Sequence, residues 1–383
     1  MIIERPALER RILASTDAGR IPVVLGGCGT GRTSLLLRIE RLMGAERAQY
    51  LNLAASATTP ERCLATTRLT SRLRPAPSGP YVPAANTRAA FEEWMGFFDH
   101  SLGADGAAPM FLLDEALDIR TFESFPGLRH VQREVVARLA ASPSSFVLAS
   151  KFTARAHRLL RDATSRFEVM HLPPLATGDV TDLLAPSFNG YEQMPTDDRD
   201  FLGRAVQALT DGRAVYVRAL GEAMSDMGAG DPISALTALL SRDGKLTHAC
   251  RFCYELRLHR ARGYGALKAI LDILAEEEPL TLTEISLRLH RTPGSTKDYL
   301  SWLEDVDLVT SRQKRYSFTD PLLRLWVRLN CRPTPPTDDD VVREVQRYAL
   351  ARMPQPEPAP ALAYAGVDAT AEERKSWGII EID

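Results

Sequence analysis

At 383 residues, one quarter of them charged and with a formal net charge of −2, the chain has room for two or three domains and a large core. That charge balance gives no general pull towards nucleic acid or an anionic membrane. The start Met-Ile-Ile-Glu-Arg lacks the parts of a secretion signal, no apolar run approaches the roughly 18 residues that span a bilayer, and five cysteines suit a reducing compartment, so a cytoplasmic protein without a membrane segment is expected.

The first informative element is Val23–Leu36. An apolar run (Ile21, Val23, Val24, Leu25) meets glycines at 26, 27, 29 and 31, and Thr33 and Ser34 then open an apolar-periodic helix through Leu35, Leu36, Leu37, Ile39 and Leu42. Gly26-x-x-x-x-Gly31 in a strand–loop–helix context is the pattern of a phosphate-binding P-loop, in which backbone N–H groups and a helix N-terminus face phosphate oxygens. Gly26, Gly27, Cys28, Gly29, Thr30, Gly31, Arg32, Thr33 and Ser34 are therefore the candidate phosphate-binding residues, and Thr33 stands where a hydroxyl ligates Mg²⁺. Arg32 occupies the position of the usual lysine, exchanging a flexible point charge for a planar fork. The plainer reading is a glycine-rich turn that packs a helix on a strand.

The proline-rich stretch 74–83 is expected as an exposed loop. Pro109-Met-Phe-Leu-Leu-Asp114-Glu115 reads as a buried strand ending in two carboxylates: Asp114 to hold Mg²⁺, Glu115 to polarise water, or merely an acidic strand-end cap. The strand Ser145–Ala149 ends in Ser150-Lys151, where Ser150 either senses a γ-phosphate or simply terminates the strand. Arg155, Arg158 and Arg161 suit a solvated helix face, and Arg166, just before the strand Phe167–Leu172, is the candidate arginine finger towards a neighbouring subunit. Strands at 21–25, 48–53, 110–113, 146–149 and 167–172 alternating with helices make residues 1–175 a parallel α/β domain.

Residues 176–262 carry helical periodicity, as in Phe201-Leu-x-x-Ala-Val-x-x-Leu209, and are expected to form a helical lid. His248, Cys250, Cys253 and His259 have ligand chemistry but fall on one helix, so structural residues are expected rather than a zinc site. Residues 263–330 read as a winged helix-turn-helix: an amphipathic helix (Leu267, Ile270, Leu271, Leu274), a short helix over 281–289, a recognition helix over 297–304, and a wing turning at Gln313-Lys314. Nine Lys/Arg against ten Asp/Glu between 264 and 330 leave two readings of its partner, namely DNA contacted by Arg291, Lys297, Arg312, Lys314 and Arg315, or protein. Residues 331–383 form a proline-rich linker, a short amphipathic helix over 338–353 and a tail whose Trp377–Ile382 segment either adds a strand to a partner or folds back.

The order of Walker A at 26–33, Walker B at 110–115, the sensor strand at 146–150 and Leu172-Pro-Pro-Leu175 resembles the additional-strand P-loop ATPases. Within them the chain is most similar to the AAA-type ATPases of the STAND branch, the archaeal-ATPase-like group common in prokaryotes, through Glu4-Arg5-Pro-Ala-Leu-Glu9 and Thr319-Asp-Pro-Leu-Leu-Arg-Leu-Trp326 as well. It departs from that group in Arg32 and in Asp211-Gly212-Arg213-Ala214, which lacks the branch's proline. The resemblance implies an ATP- and Mg²⁺-dependent switch that hydrolyses slowly and acts on DNA, a protein partner or a second copy. The alternative is a non-hydrolysing scaffold that holds ATP or ADP as a structural ligand.

Overall fold

The computed structural model describes residues 4–75, 85–186, 191–228, 231–259 and 263–354. Ten strands run in chain order: β1 (Ile21–Leu25), β2 (Ala48–Asn52), β3 (Arg74–Pro75), β4 (Ser101–Leu102), β5 (Met110–Asp114), β6 (Ser145–Ser150), β7 (Phe167–His171), β8 (Leu280–Thr281), β9 (Val309–Arg312) and β10 (Arg315–Phe318). Five of them form one parallel sheet in the order β2-β5-β6-β1-β7, so β6 is the additional strand between the P-loop strand β1 and the acidic strand β5. This is the α/β P-loop NTPase architecture expected above.

Parallel sheets need cover on both faces, and the strand sequences supply it by alternating two sets of apolar side chains. Val24, Met110, Leu112, Val147 and Ala149 pack under helices Pro6–Asp17 and Arg32–Met43 with Ile12, Leu35, Leu36 and Ile39. Val23, Leu25, Phe111, Leu113, Phe146 and Leu148 face the opposite layer, where Phe98 meets Phe111 edge-on at 4.8 Å and Trp94 at 5.0 Å. The buried Trp94 indole is satisfied by Thr67 Oγ1 at 3.0 Å.

Three boundaries shift by physical cause. β2 ends one residue early because the Asn52 side chain accepts the Ala55 N–H and starts helix Leu53–Ser56. β7 stops at His171, and the next N–H, of Leu172, closes onto Leu25 O at 2.7 Å. The stretch expected as a loop over 74–83 begins instead as strand β3, paired antiparallel with β4 in a two-stranded sheet where proline is tolerated. Residues 76–84 lie outside the described residues.

Beyond the sheet, helices Thr177–Leu184, Thr196–Thr210, Ala214–Asp226 and Pro232–Leu240 share one core, which also takes Leu322, Leu325 and Leu329 of helix Pro321–Asn330 and Val341, Val345 and Ala349 of helix Asp338–Leu350. Leu323, Trp326 and Val327 of that same helix Pro321–Asn330 enter the next core. There they join Leu267, Ile270, Leu271, Leu274, Leu300 and Leu303, and the core reaches back to Cys250, Tyr254 and Leu258 of helix Lys245–His259. Around it stand helices Tyr264–Glu276, Leu282–Leu289 and Pro293–Asp305 and the sheet β8-β10-β9, whose hairpin turns at Gln313 and Lys314 with left-handed φ of 51° and 62°. Thr281 and Glu284 close a capping box on Leu282–Leu289. No helix among the described residues is long and apolar enough to cross a membrane. The tail from residue 355, including Trp377–Ile382, lies outside the described residues.

Candidate nucleotide site

The chain leaves β1 at the C-terminal edge of the sheet, and Gly26 N–H donates to Ser150 O at 3.4 Å. Gly29 and Gly31 take φ of +78° and +100°, a left-handed backbone that a side chain would strain. The loop therefore curls, and helix Arg32–Met43 begins directly after it. Among the described residues the N–H groups of Gly27, Cys28, Gly29, Thr30 and Gly31 find no acceptor, so five donors stand free at a helix N-terminus. Thr30 Oγ1 ties the loop to itself through Gly27 O at 2.9 Å.

Arg32 is buried and folds back across this loop. Its Nη1 donates to the carbonyls of Gly26 and Gly27, the latter at 2.5 Å, and its Nη2 donates to Glu115 Oε1 at 2.6 Å. Glu115, itself in a left-handed conformation at φ 52°, also receives the Lys151 N–H at 3.2 Å and lies 3.3 Å from Lys151 Nζ. Burial alone would raise the Glu115 carboxyl, but Arg32 and Lys151 outweigh it and hold it below the usual range. Beside this pair Asp114 Oδ2 accepts from Thr33 Oγ1 at 2.6 Å and from Tyr50 OH at 2.9 Å, while its Oδ1 accepts the Glu115 N–H. Burial and the Asp114 charge push the Tyr50 phenol up, so it stays a donor.

The loop is also gripped from the helical region. Val215 N–H donates to Gly29 O at 3.1 Å, and Arg213 donates to Cys28 O at 2.9 Å and to Thr319 O at 2.7 Å. A Cβ at residue 27 would stand 2.9 Å from Arg213 Nη1, so a side chain there would push the guanidinium aside. Arg213 pairs at 3.2 Å with the equally buried Asp320, which Tyr216 OH also reaches at 2.7 Å. Arg257 of helix Lys245–His259 completes the ring, donating to Cys28 Sγ at 2.6 Å and to Asp307 O at 2.8 Å.

Of the residues singled out in the sequence, Gly26 to Thr33, Asp114 and Glu115 thus come together. Ser150 lies beside Leu25 at the end of β6, but its hydroxyl accepts the Phe152 N–H at 3.1 Å, a local turn bond. Arg166 is not part of this cluster. It sits at the opposite end of the sheet, where its guanidinium donates to Gly19 O, Ala140 O and Ser142 O. Arg158 pairs with Asp305, and Arg155 lies over the Phe152 ring. Cys250 is buried in its core whereas Cys253 turns towards Cys28; among the described residues no three ligand-type side chains cluster to hold a metal ion. Arg291, Lys297, Arg312, Lys314 and Arg315 are exposed.

Lys151, Tyr50, Arg213 and Arg257 escaped the sequence reading as parts of the site. Lys151 and Arg213 carried a signal, the former directly after the strand Ser145–Ser150 and the latter beside the Asp211-Gly212 turn. Free N–H donors beside a hydroxyl–carboxylate pair fit a polyphosphate with a divalent cation. Arg32, now bonded to loop carbonyls and Glu115, has a positive charge to offer it.

No family model matches the sequence, and no curated protein matches it. Among solved structures the chain is similar to the Walker-type ATPase PABY2304 of Pyrococcus abyssi, with a TM-score of 0.64 and 16% identity over 85% of this chain and 96% of that one. The Aeropyrum pernix Orc1 protein in complex with DNA (TM-score 0.40, 16% identity, 90% of this chain and 93% of that one) and a point variant of Thermotoga maritima RuvB (TM-score 0.41, 10% identity, 82% and 92%) are too distant in shape to carry an argument. The likeness to the Pyrococcus protein is one of fold, and it agrees with the strand order: this chain has the fold of a P-loop ATPase.

Proposed function

We propose that the protein is a nucleotide-gated switch of the AAA type, STAND branch, that binds ATP with Mg²⁺ in the loop at 26–34 and hydrolyses it slowly. The observation that carries this reading is the Arg32–Glu115 ion pair at 2.6 Å, which ties the phosphate-loop cation to the carboxylate placed to activate water. When bound, the metal ion supplies charge neutralisation at the phosphates. Thr33 and Asp114 would hold it, the free N–H groups of the loop would bind phosphate oxygens, and Arg32 would exchange Glu115 for phosphate. Glu115, released from Arg32 but still beside Lys151, would then be a weak general base, in keeping with slow turnover.

Arg213 and Arg257 carry the state of the loop outward. Both bridge Cys28 to the region 307–320, so a change in the loop acts on the module at 263–330, read as a winged helix-turn-helix. Its partner is DNA through the exposed Arg291, Lys297, Arg312, Lys314 and Arg315, or a protein surface. A cytoplasmic location suits a switch of this kind.

The same pair favours a second reading. With Glu115 held by two cations the protein would keep its nucleotide intact and serve as a scaffold. Phosphate release from ATP under single-turnover conditions with Mg²⁺, compared with Glu115→Gln, decides between them. Slow release that vanishes in the mutant supports the switch. No release from either protein, with ATP still raising the melting temperature, supports the scaffold. Absence of any rise with millimolar ATP or ADP overturns nucleotide binding, because a ligand specific for the folded state must stabilise it.

A further inference from the structure

Cys28 is half-buried at the third position of the phosphate loop, and its thiol faces that of Cys253 on helix Lys245–His259, 225 residues later in the chain. The Cys253 side chain lies within interaction reach of the Cys28 sulfur. From another side Arg257, one helical turn beyond Cys253, places its Nη2 2.6 Å from the same sulfur. Arg257 is buried, its other bond runs to the Asp307 carbonyl, and a buried guanidinium requires an anion. A Cys28 thiolate meets that need. The Cys253 hydrogen bond, against opposition from burial, and the charges of Arg257 and Arg32 pull the Cys28 thiol well below its ordinary range. Cys253 is pushed the other way, chiefly by that same bond, and keeps its proton. One nucleophilic thiolate beside one protonated thiol is the arrangement of an attacking and a resolving cysteine.

We propose that Cys28 is an oxidant-reactive thiol which hydrogen peroxide, or a hydroperoxide of the same chemistry, converts to a disulfide with Cys253. In the first step the Cys28 thiolate attacks one peroxide oxygen. An S–O bond forms, the O–O bond breaks, and the departing hydroxide takes a proton to leave as water. In the second step the Cys253 sulfur attacks the sulfenic sulfur of Cys28. The S–S bond forms, the S–O bond breaks, and the hydroxide leaves with the Cys253 proton as a second water. Two thiols are oxidised, one peroxide is reduced to two waters, and the buried Arg257 loses its thiolate partner.

The consequence rests on the nucleotide reading of the loop. A disulfide holds its two Cα atoms about 4.4–6.8 Å apart. It would therefore staple the loop to helix Lys245–His259 while Arg32 still spans the loop carbonyls, and hold the site closed to phosphate.

The test treats reduced full-length protein with hydrogen peroxide, blocks free thiols with iodoacetamide and maps peptides without reduction, alongside ATP-dependent melting. The expected result is a Cys28–Cys253 linked peptide as the main oxidised product, loss of the ATP-induced rise in melting temperature, and recovery of both by dithiothreitol. Cys253→Ser should give no linked peptide and a dimedone adduct on Cys28; Cys253→Ala repeats this if the serine variant folds poorly. Alkylation of both thiols after peroxide, or Cys28 joined to any other cysteine, overturns the proposal. A linked peptide in protein that keeps its full ATP response overturns the regulatory half. If the reduced protein shows no response to ATP, the nucleotide reading fails and the regulatory half with it, while the peptide map alone decides the cross-link.

Discussion

Each end of the central sheet holds an arginine whose fork reaches backbone carbonyls. At the N-terminal end Arg166 joins Gly19 O at 2.8 Å, Ala140 O at 2.6 Å and Ser142 O at 3.1 Å. At the C-terminal end Arg32 takes the carbonyls of Gly26 and Gly27 and then a carboxylate, Glu115. The first set is made of carbonyls at a turn and at the end of helix Val131–Ala141, held in place by the chain. The second lies beside five N–H groups that, among the described residues, have no acceptors. An anion entering there would compete with Glu115 for Arg32. The same guanidinium chemistry thus makes a clamp between chain segments at one end and, in the proposed function, an exchangeable contact at the other.

The largest effect should come from the junction that serves the exchangeable end. Arg213→Ala leaves Asp320 buried without its cation, and urea unfolding should show a loss of about 3–5 kcal/mol. A loss near zero would mean that the grip on the loop stores no stability. Arg166→Ala should cost about 1–3 kcal/mol by the same measurement, through lost charge-assisted bonds, and leave the ATP-induced rise in melting temperature intact. If that rise disappeared, the two ends would not be functionally distinct.

Arg32→Ala should change stability less and the ATP response more, since Glu115 keeps Lys151 while the loop loses its cation. Arg32→Lys should retain the response and release phosphate faster, because a lysine at the loop leaves Glu115 unpaired by a fork. The smallest effect concerns pH. Burial, offset in part by Arg257, pushes the Asp307 carboxyl up to about 7, with the Cys28 thiolate adding to the rise and Arg213 and Arg32 opposing it. An acid raised in the folded state stabilises the fold at low pH and loses that contribution as pH climbs through 7. The melting temperature should therefore fall between pH 5 and pH 8, and Asp307→Asn, which tolerates the left-handed φ of 57°, should flatten that slope.

Much of the fold was legible along the chain because it is written locally. Alternating apolar pairs such as Val23 and Val24 or Leu112 and Leu113 mark strands covered on both faces, and the glycines at 29 and 31 mark a left-handed loop. The acids at 114 and 115 were found for the same reason, at the end of an apolar run. What stayed hidden depends on docking across long separations. Arg32 meets a carboxylate 83 residues away, Arg213 a carbonyl 106 residues away, and Arg257 a sulfur 229 residues away. No periodicity encodes such meetings, because the first follows from the strand order of the sheet and the other two from how the helical region sits on it. The partners of Arg166 are hidden in the same way, on a turn at Gly19 and the end of helix Val131–Ala141.

Helix Pro321–Asn330 has a mechanical consequence. Leu322, Leu325 and Leu329 lie in one core and Leu323, Trp326 and Val327 in the next, so a single rod runs through both as a shared axle. Two bodies threaded on one rigid axle cannot swing separately without tearing apolar contacts on one side. A displacement of either body would therefore carry the other with it.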